Sequence, residues 1–305
     1  MNRRTFVAGL LLPRLLGAKP AFDYSRISVL TDEVAKTPED AIAFTKQYGL
    51  HWVELRAVPG KRESYWSLAE GPLRETAKQL ADNGLKVSFL NTGLLKFQLP
   101  GTEAARARTE TPESRAKRLA ADAARFENRI DDLRTAIRAA HILGVDKIRV
   151  FAFLRTPDPV SVFPRVAGIL NEMAREAEKE GVHLLLENEA SCNVATCVEA
   201  AAMLKLLSES VGLNWDPDNG LSFQETPYPN GYALLPKSRL ANVQIKARSI
   251  LPEYHRLIDW PGIFDALAAD GYQGKVGLET HIFDGTLIQA AHKSLAEIRR
   301  ILRVS

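Results

Sequence analysis

The sequence predicts a single α/β domain built as a (β/α)8 barrel, and three observations carry that prediction. Eight short apolar runs recur at 27–30, 52–55, 86–90, 147–151, 182–186, 212–215, 242–245 and 275–278, the pattern of strands buried on both faces. Segments of helical period lie between them, beginning near Pro38, Leu68, Pro112, Pro164, Thr196, Trp260 and Leu287, several opened by Pro or by a nearby Ser, Thr or Asp. Before many of the strands stands a glycine suited to ending a helix: Gly49, Gly84, Gly144, Gly181, Gly212 and Gly271. Parallel strands need crossover helices, and eight of them close without an exposed edge. An open doubly wound sheet shares the local pattern. Against a dinucleotide-binding version of it, Leu30-Thr31-Asp32-Glu33 follows the first strand where G-x-G-x-x-G would be required.

The chain begins with a separate segment. Residues 1–21 hold Arg3, Arg4, Arg14 and Lys19 and no acid, and the pair Arg3-Arg4 precedes the apolar run 7–12 in the order of a twin-arginine export signal. The expected domains are therefore a signal peptide over 1–21 and the barrel over 22–305. The location expected is exported or periplasmic, or cytoplasmic if the signal does not function. Of the 40 basic residues four lie in this leader and none of the 37 acidic ones does, so the formal charge of +3 becomes one negative charge without it. No basic surface then calls for nucleic acid. No later run is long and apolar enough for a membrane helix. With 46% hydrophobic and 25% charged residues, the composition also excludes collagen-like and disordered chains.

Between strands three and four, Leu119, Ala123, Phe126, Ile130, Leu133, Ile137 and Ala140 form one stripe, which predicts a continuous helix from about Pro112 to Leu143. The Arg and Lys of 103–129 are interleaved with Glu103, Glu110, Glu113, Asp122 and Glu127, the pattern of a solvated face. Cys192 and Cys197, five apart, read as two small semi-buried thiols, with a disulfide as the alternative.

Chemistry in such a barrel belongs to residues at the C-terminal strand ends. Strand five ends in Leu186-Glu187-Asn188, strand six in Trp215-Asp216-Pro217-Asp218-Asn219, strand seven in Gln244-Ile245-Lys246 and strand eight in Leu278-Glu279-Thr280-His281. Carboxylates converging on one mouth repel one another, and a divalent cation would remove that penalty. Glu54 and Arg56 end strand two and are candidates for binding substrate hydroxyls, with a salt-bridged rim as the alternative reading. Lys246 is suited to steadying negative charge or to pairing with Asp216 or Asp218, and His281 is the best-placed histidine.

In this strand-end order, Leu-Glu-Asn, Asn-Trp-Asp-Pro-x-Asn, x-x-Lys and Gly-Leu-Glu-Thr-His, the chain resembles the sugar isomerase/epimerase family with the xylose-isomerase-like TIM barrel, to which ketose 3-epimerases belong. The resemblance spans essentially all of 22–305. It implies one divalent ion (Mn2+, Mg2+ or Co2+) held by Glu187, Asp216, Gln244 and Glu279. Gln244 and Ala247 depart from the family's His-x-Lys-Asp, which predicts weaker binding and leaves a non-catalytic sugar-binding barrel as one alternative. It further implies that Glu187 and Glu279 exchange a proton next to a sugar carbonyl through an enediolate, with Glu54, Arg56, Asn219, Lys246 and His281 contacting the substrate. A lyase or dehydratase on a keto-sugar is the neighbouring chemistry. The partner implied is a small sugar or keto-sugar, and a homo-oligomer is compatible with the sequence.

Overall fold

The structure is a computed structural model that describes residues 21–106 and 109–304. The leader predicted over 1–21 lies, but for its last residue, outside them. Eight parallel strands close in chain order: β1 (Ile27–Leu30), β2 (Trp52–Leu55), β3 (Lys86–Leu94), β4 (Lys147–Val150), β5 (His183–Glu187), β6 (Gly212–Trp215), β7 (Leu240–Ile245) and β8 (Lys275–Leu278), with β8 pairing back onto β1. The chain is a single (β/α)8 TIM barrel.

Local chemistry places the surrounding helices. Thr37 and Thr111 each accept a backbone N–H of the first turn, Asp40 and Ser114, ahead of Pro38 and Pro112. Thr196 and Glu199 form a reciprocal capping box at Cys197–Leu204. Asp259 caps Trp260–Ala269 through the Gly262 N–H. Gly49, Gly84, Gly144, Gly181 and Gly271 adopt φ between 64° and 71°, which ends each preceding helix as expected. Gly212 does not. It is the first residue of β6, and a Cβ there would come within 2.5 Å of the Leu185 side chain, so close packing rather than turning requires glycine.

The continuous helix expected over 112–143 is two helices, Pro112–Glu127 and Arg129–Leu143, parted at Asn128 where ψ is 0°. The second buries Leu133, Ala136, Ile137, Ala139, Ala140 and Leu143 on the barrel, whereas in the first only Asp122 is buried. The apolar period runs through both, but the barrel wall has room for one. β3 continues four residues past its expected end, with an irregular register between Leu90 and Leu94. Cys192 and Cys197 are buried thiols with no disulfide.

The interior of the barrel beneath its C-terminal mouth is polar. Glu54 on β2 is fully buried and accepts from Ser28 (3.0 Å) and Asn242 (3.1 Å) at Oε1, and from Asn91 (2.9 Å) and Gln244 (2.8 Å) at Oε2. Gly277 on β8 makes the space, since a Cβ there would meet Glu54 Oε1 at 2.0 Å. The network continues from Asn242 to Asn214 Oδ1 (3.0 Å) and from Asn214 to Glu187 Oε2 (2.5 Å), so hydrogen bonds connect the interior to the mouth.

Candidate active site

Three of the expected carboxylates meet. Oxygens of Glu187 at the end of β5, Asp216 just past β6 and Glu279 just past β8 all lie within 4.8 Å of one another, and all three residues are buried. Asn188 ties two of these strand ends together, accepting the Asp216 N–H at 2.8 Å and donating to the Asp216 carbonyl at 2.8 Å. The Glu279 N–H donates to the Ile245 carbonyl at 2.9 Å, which sets β8 against β7.

Each carboxylate has a cation of its own. Arg149 from β4 donates to Glu187 at 3.1 Å, Lys246 lies 2.6 Å from Asp216 Oδ2, and Arg56 donates to Glu279 at 2.9 Å. Side chains therefore meet part of the repulsion expected among them: Arg149 on β4 and Arg56 and Lys246 just past β2 and β7 supply positive charge, and the Lys246–Asp216 pair is one of the two readings the sequence offered for Lys246. They do not meet all of it. Burial pushes Glu187 above the usual carboxylate range against the pull of Arg149, with Glu279 adding to the rise. Burial likewise pushes Asp216 up to about 8 despite Lys246. For Glu279 burial acts in the same direction, but Lys246, Arg56 and Arg149 together outweigh it and hold the group below the usual range. Two neighbouring carboxylates are thus driven in opposite directions, Glu187 toward holding a proton and Glu279 toward staying ionised.

Gln244 follows Val243, the register partner of Trp215, and so stands level with Asp216. Its Nε2 is taken by Glu54, while its buried Oε1 has no hydrogen-bond partner. Three carboxylates and a spare amide oxygen form an all-oxygen donor set, which suits a hard divalent cation such as Mn2+ or Mg2+ better than zinc. The residues present fit such an ion.

Of the residues expected to contact substrate, Arg56 and His281 stand beside Glu279 at the mouth, whereas the others are turned inward or braced. Glu54 lies inside the barrel with both oxygens taken by four donors, not on the rim. Asn219 donates to the Asn188 carbonyl and accepts from Lys246, each within 2.9 Å, so its amide braces the β6 end and Lys246. Lys246 is buried, and its attraction to Asp216 outweighs the burial that would otherwise favour its neutral form. Arg56 stays partly open to the mouth while bridging Asp32, Glu33 and Glu279. His281 adopts φ 55°, donates its backbone N–H to Glu33 at 2.7 Å and stacks edge-on against Phe283. Its ring joins Glu33 and Glu279 in a second cluster of ligand atoms within 4.8 Å.

Sequence reasoning missed Asp32, Glu33 and Arg149. Asp32-Glu33 satisfied the same strand-end criterion as the other carboxylates, and Arg149 stood between Ile148 and Val150 in a run whose neighbours are apolar. A charge at such a position has to find a partner inside.

A family model described as xylose isomerase-like TIM barrel matches residues 42–303. No curated protein matches the chain. Among solved structures, that of an L-ribulose 3-epimerase superposes with a TM-score of 0.64 at 21% identity, over 92% of this chain and 94% of that one. The E. coli 3-keto-D-glucoside 4-epimerase YcjR gives 0.65 at 18% identity over 90% and 99%. The IOLI protein with a bound zinc atom gives 0.65 at 14% identity over 91% and 98%. At these identities the likeness is one of fold.

Proposed function

The chain belongs to the xylose isomerase-like TIM-barrel family, and on that footing we propose that it is an isomerase or epimerase acting on a sugar or keto-sugar by proton transfer next to a carbonyl. The observation that carries this reading is the convergence of Glu187, Asp216 and Glu279 within 4.8 Å at the barrel mouth. Relatives in fold that act as ketose 3-epimerases and as a keto-glucoside 4-epimerase support the same class of reaction.

Glu187, Asp216, Glu279 and the Gln244 amide oxygen are the residues that would hold a divalent cation. Such an ion, when bound, supplies Lewis-acid polarisation of a carbonyl and its adjacent hydroxyl. The protein supplies the proton chemistry. Glu279, paired with Arg56 at the mouth, is the base that takes a proton from the carbon beside the carbonyl. Glu187, within 4.8 Å of Glu279, is the group that returns one. Two groups acting from different strands allow a carbon to be reprotonated on the face opposite to the one deprotonated, which is what epimerisation requires. Lys246 and Arg56 also place positive charge where an enediolate would carry its negative charge. The leader supports export by the twin-arginine route, which favours a substrate without phosphate.

The test is incubation of the purified protein with Mn2+ and a panel of ketoses, read by chromatography and mass. An epimer of unchanged mass is the expected product. A product lighter by one water would replace this reading with a lyase, and no conversion at any metal concentration would leave only a sugar-binding barrel.

A further inference from the structure

Beside the carboxylates, the same end of the barrel holds a cavity of about 410 Å3 between the ends of β2 and β3 and the helix Arg129–Leu143. The topology accounts for its position. That helix leads down to the start of β4, so its first turn, with Asp132, stands level with the C-terminal strand ends. β3 runs on to Leu94 and then turns through Leu95, a buried residue at φ 64°. A leucine in the left-handed region is strained, a conformation retained only where the surrounding structure demands that path.

One run of side-chain contacts leads from the cavity wall to Glu187. Lys96 on the cavity wall lies 4.6 Å from the centre of Phe151 and donates to Glu189 at 2.9 Å. The Arg149 guanidinium, hydrogen-bonded to Glu187, lies 4.9 Å from the same ring. Lys96 thus belongs both to the cavity wall and to the run of contacts that ends at Glu187.

The wall has the chemistry of a sugar subsite. Trp66 offers a partly buried indole. Arg125 is largely exposed, and its one ion-pair partner among the described residues, Asp122, is 3.9 Å away. The Asp132 carboxylate makes no hydrogen bond with another described residue, and burial pushes it above its ordinary range while Arg125 pulls it down. An aromatic face for the C–H side of a pyranose, with a carboxylate and a guanidinium free to share its hydroxyls, is a recognisable combination for carbohydrate. Of the three cations on the wall, Lys96 and Arg129 are already paired with Glu189 and Glu172, and the opposite charges of Arg125 and Asp132 offset one another, which favours a neutral ring over a phosphate or a carboxylate.

We propose that this cavity binds a second glycosyl unit, so that the molecule worked on is a keto-disaccharide or keto-glycoside rather than a free ketose. The assignment rests on the proposed function only in taking the carboxylate mouth as the place where the keto-sugar is held.

The test is calorimetric titration of the full chain, in Mn2+, with D-fructose and with its 3-, 4- and 6-linked glycosyl derivatives turanose, lactulose and isomaltulose. At least one disaccharide is expected to bind about tenfold more tightly than fructose, the scale of one aromatic contact with a sugar ring. Trp66→Ala and Arg125→Ala should each bring that ratio close to one. Arg125 is exposed, so its variant keeps the test valid if removing Trp66 disturbs folding. Equal affinities throughout, or a preference that survives both substitutions, would overturn the assignment. Trp66-dependent disaccharide binding without turnover of any sugar would uphold the subsite and remove the epimerase reading. Turnover of fructose with no disaccharide preference would do the reverse.

Discussion

Gln244 donates from Nε2 to Glu54 Oε2 at 2.8 Å inside the barrel, and that bond decides which end of the amide is left over. Ser28, Asn91 and Asn242 occupy the remaining positions on Glu54 as donors, so the carboxylate has only acceptor sites to offer Gln244. The amide oxygen is therefore the free end, buried and without a partner. One interior contact thus prepares the atom a cation would use.

Replacing Gln244 by histidine should strengthen metal binding. An imidazole here can donate one ring N–H to Glu54 and turn its other nitrogen outward, the carboxylate–histidine–metal arrangement whose outer member is worth about 10–100-fold in affinity. Mn2+ and Zn2+ titration by calorimetry should show Gln244→His binding both more tightly than the parent, with zinc gaining more. No gain for either ion would mean that position 244 does not face the carboxylates.

Gly277→Ala should be destabilising beyond its size. The added Cβ would lie 2.0 Å from Glu54 Oε1, among buried groups that cannot yield without breaking hydrogen bonds, at a cost of about 1–3 kcal/mol. Urea denaturation should show that loss. Gly71→Ala, with nothing within 4 Å and a place in the helix Glu70–Asp82, should be neutral or stabilising by up to about 1 kcal/mol.

Lys246→Met should make stability depend on metal. Removing the ammonium leaves Asp216 buried beside Glu187 and Glu279 without its cation, and breaking such a pair costs about 3–5 kcal/mol. Thermal melts should show a large drop in chelator and a greater recovery on adding Mn2+ than the parent shows. Equal shifts in the two proteins would place the ion elsewhere.

The strands were legible because burial on both faces leaves a short apolar run, and the carboxylates because each stands at a strand end. Glu187, Asp216 and Glu279 were readable one strand at a time. What a single strand could not reveal was inward reach across the barrel. Glu54 looked like a rim residue until Gly277, far away in sequence, proved to open the interior to it. Lys246 makes the pairing with Asp216 that its strand end suggested, whereas the partner of Arg149, Glu187 on the next strand, could not be read from the apolar run in which it stands. The break at Asn128 was hidden because the apolar period continues across it, although Leu119 and Ala123 are not buried.

Alkaline pH should unfold the protein through its tyrosines. Burial pushes Tyr24 and Tyr65 up to about 12 and Tyr232 and Tyr272 further, whereas the unfolded chain ionises near 10. The folded state then holds more protons between about pH 10 and 12, so stability is intact below 10 and falls as pH rises through that window. Phenolate absorbance at 295 nm should show these tyrosines ionising together with loss of helix signal. Their ionisation near pH 10 in the folded protein would contradict the burial described.

The central claim is that Glu187 and Glu279 move a proton at the carbon beside a sugar carbonyl, and deuterium incorporation tests it most directly. The protein, with Mn2+ in D2O, is incubated with the keto-sugar it binds most tightly, and recovered sugar is read by NMR and mass spectrometry. The account predicts one deuterium at a carbon adjacent to the carbonyl. It also predicts loss of that exchange by about 10²-fold or more in Glu187→Gln and in Glu279→Gln, both still folded. Epimerisation without deuterium, or exchange that survives both substitutions, would contradict it.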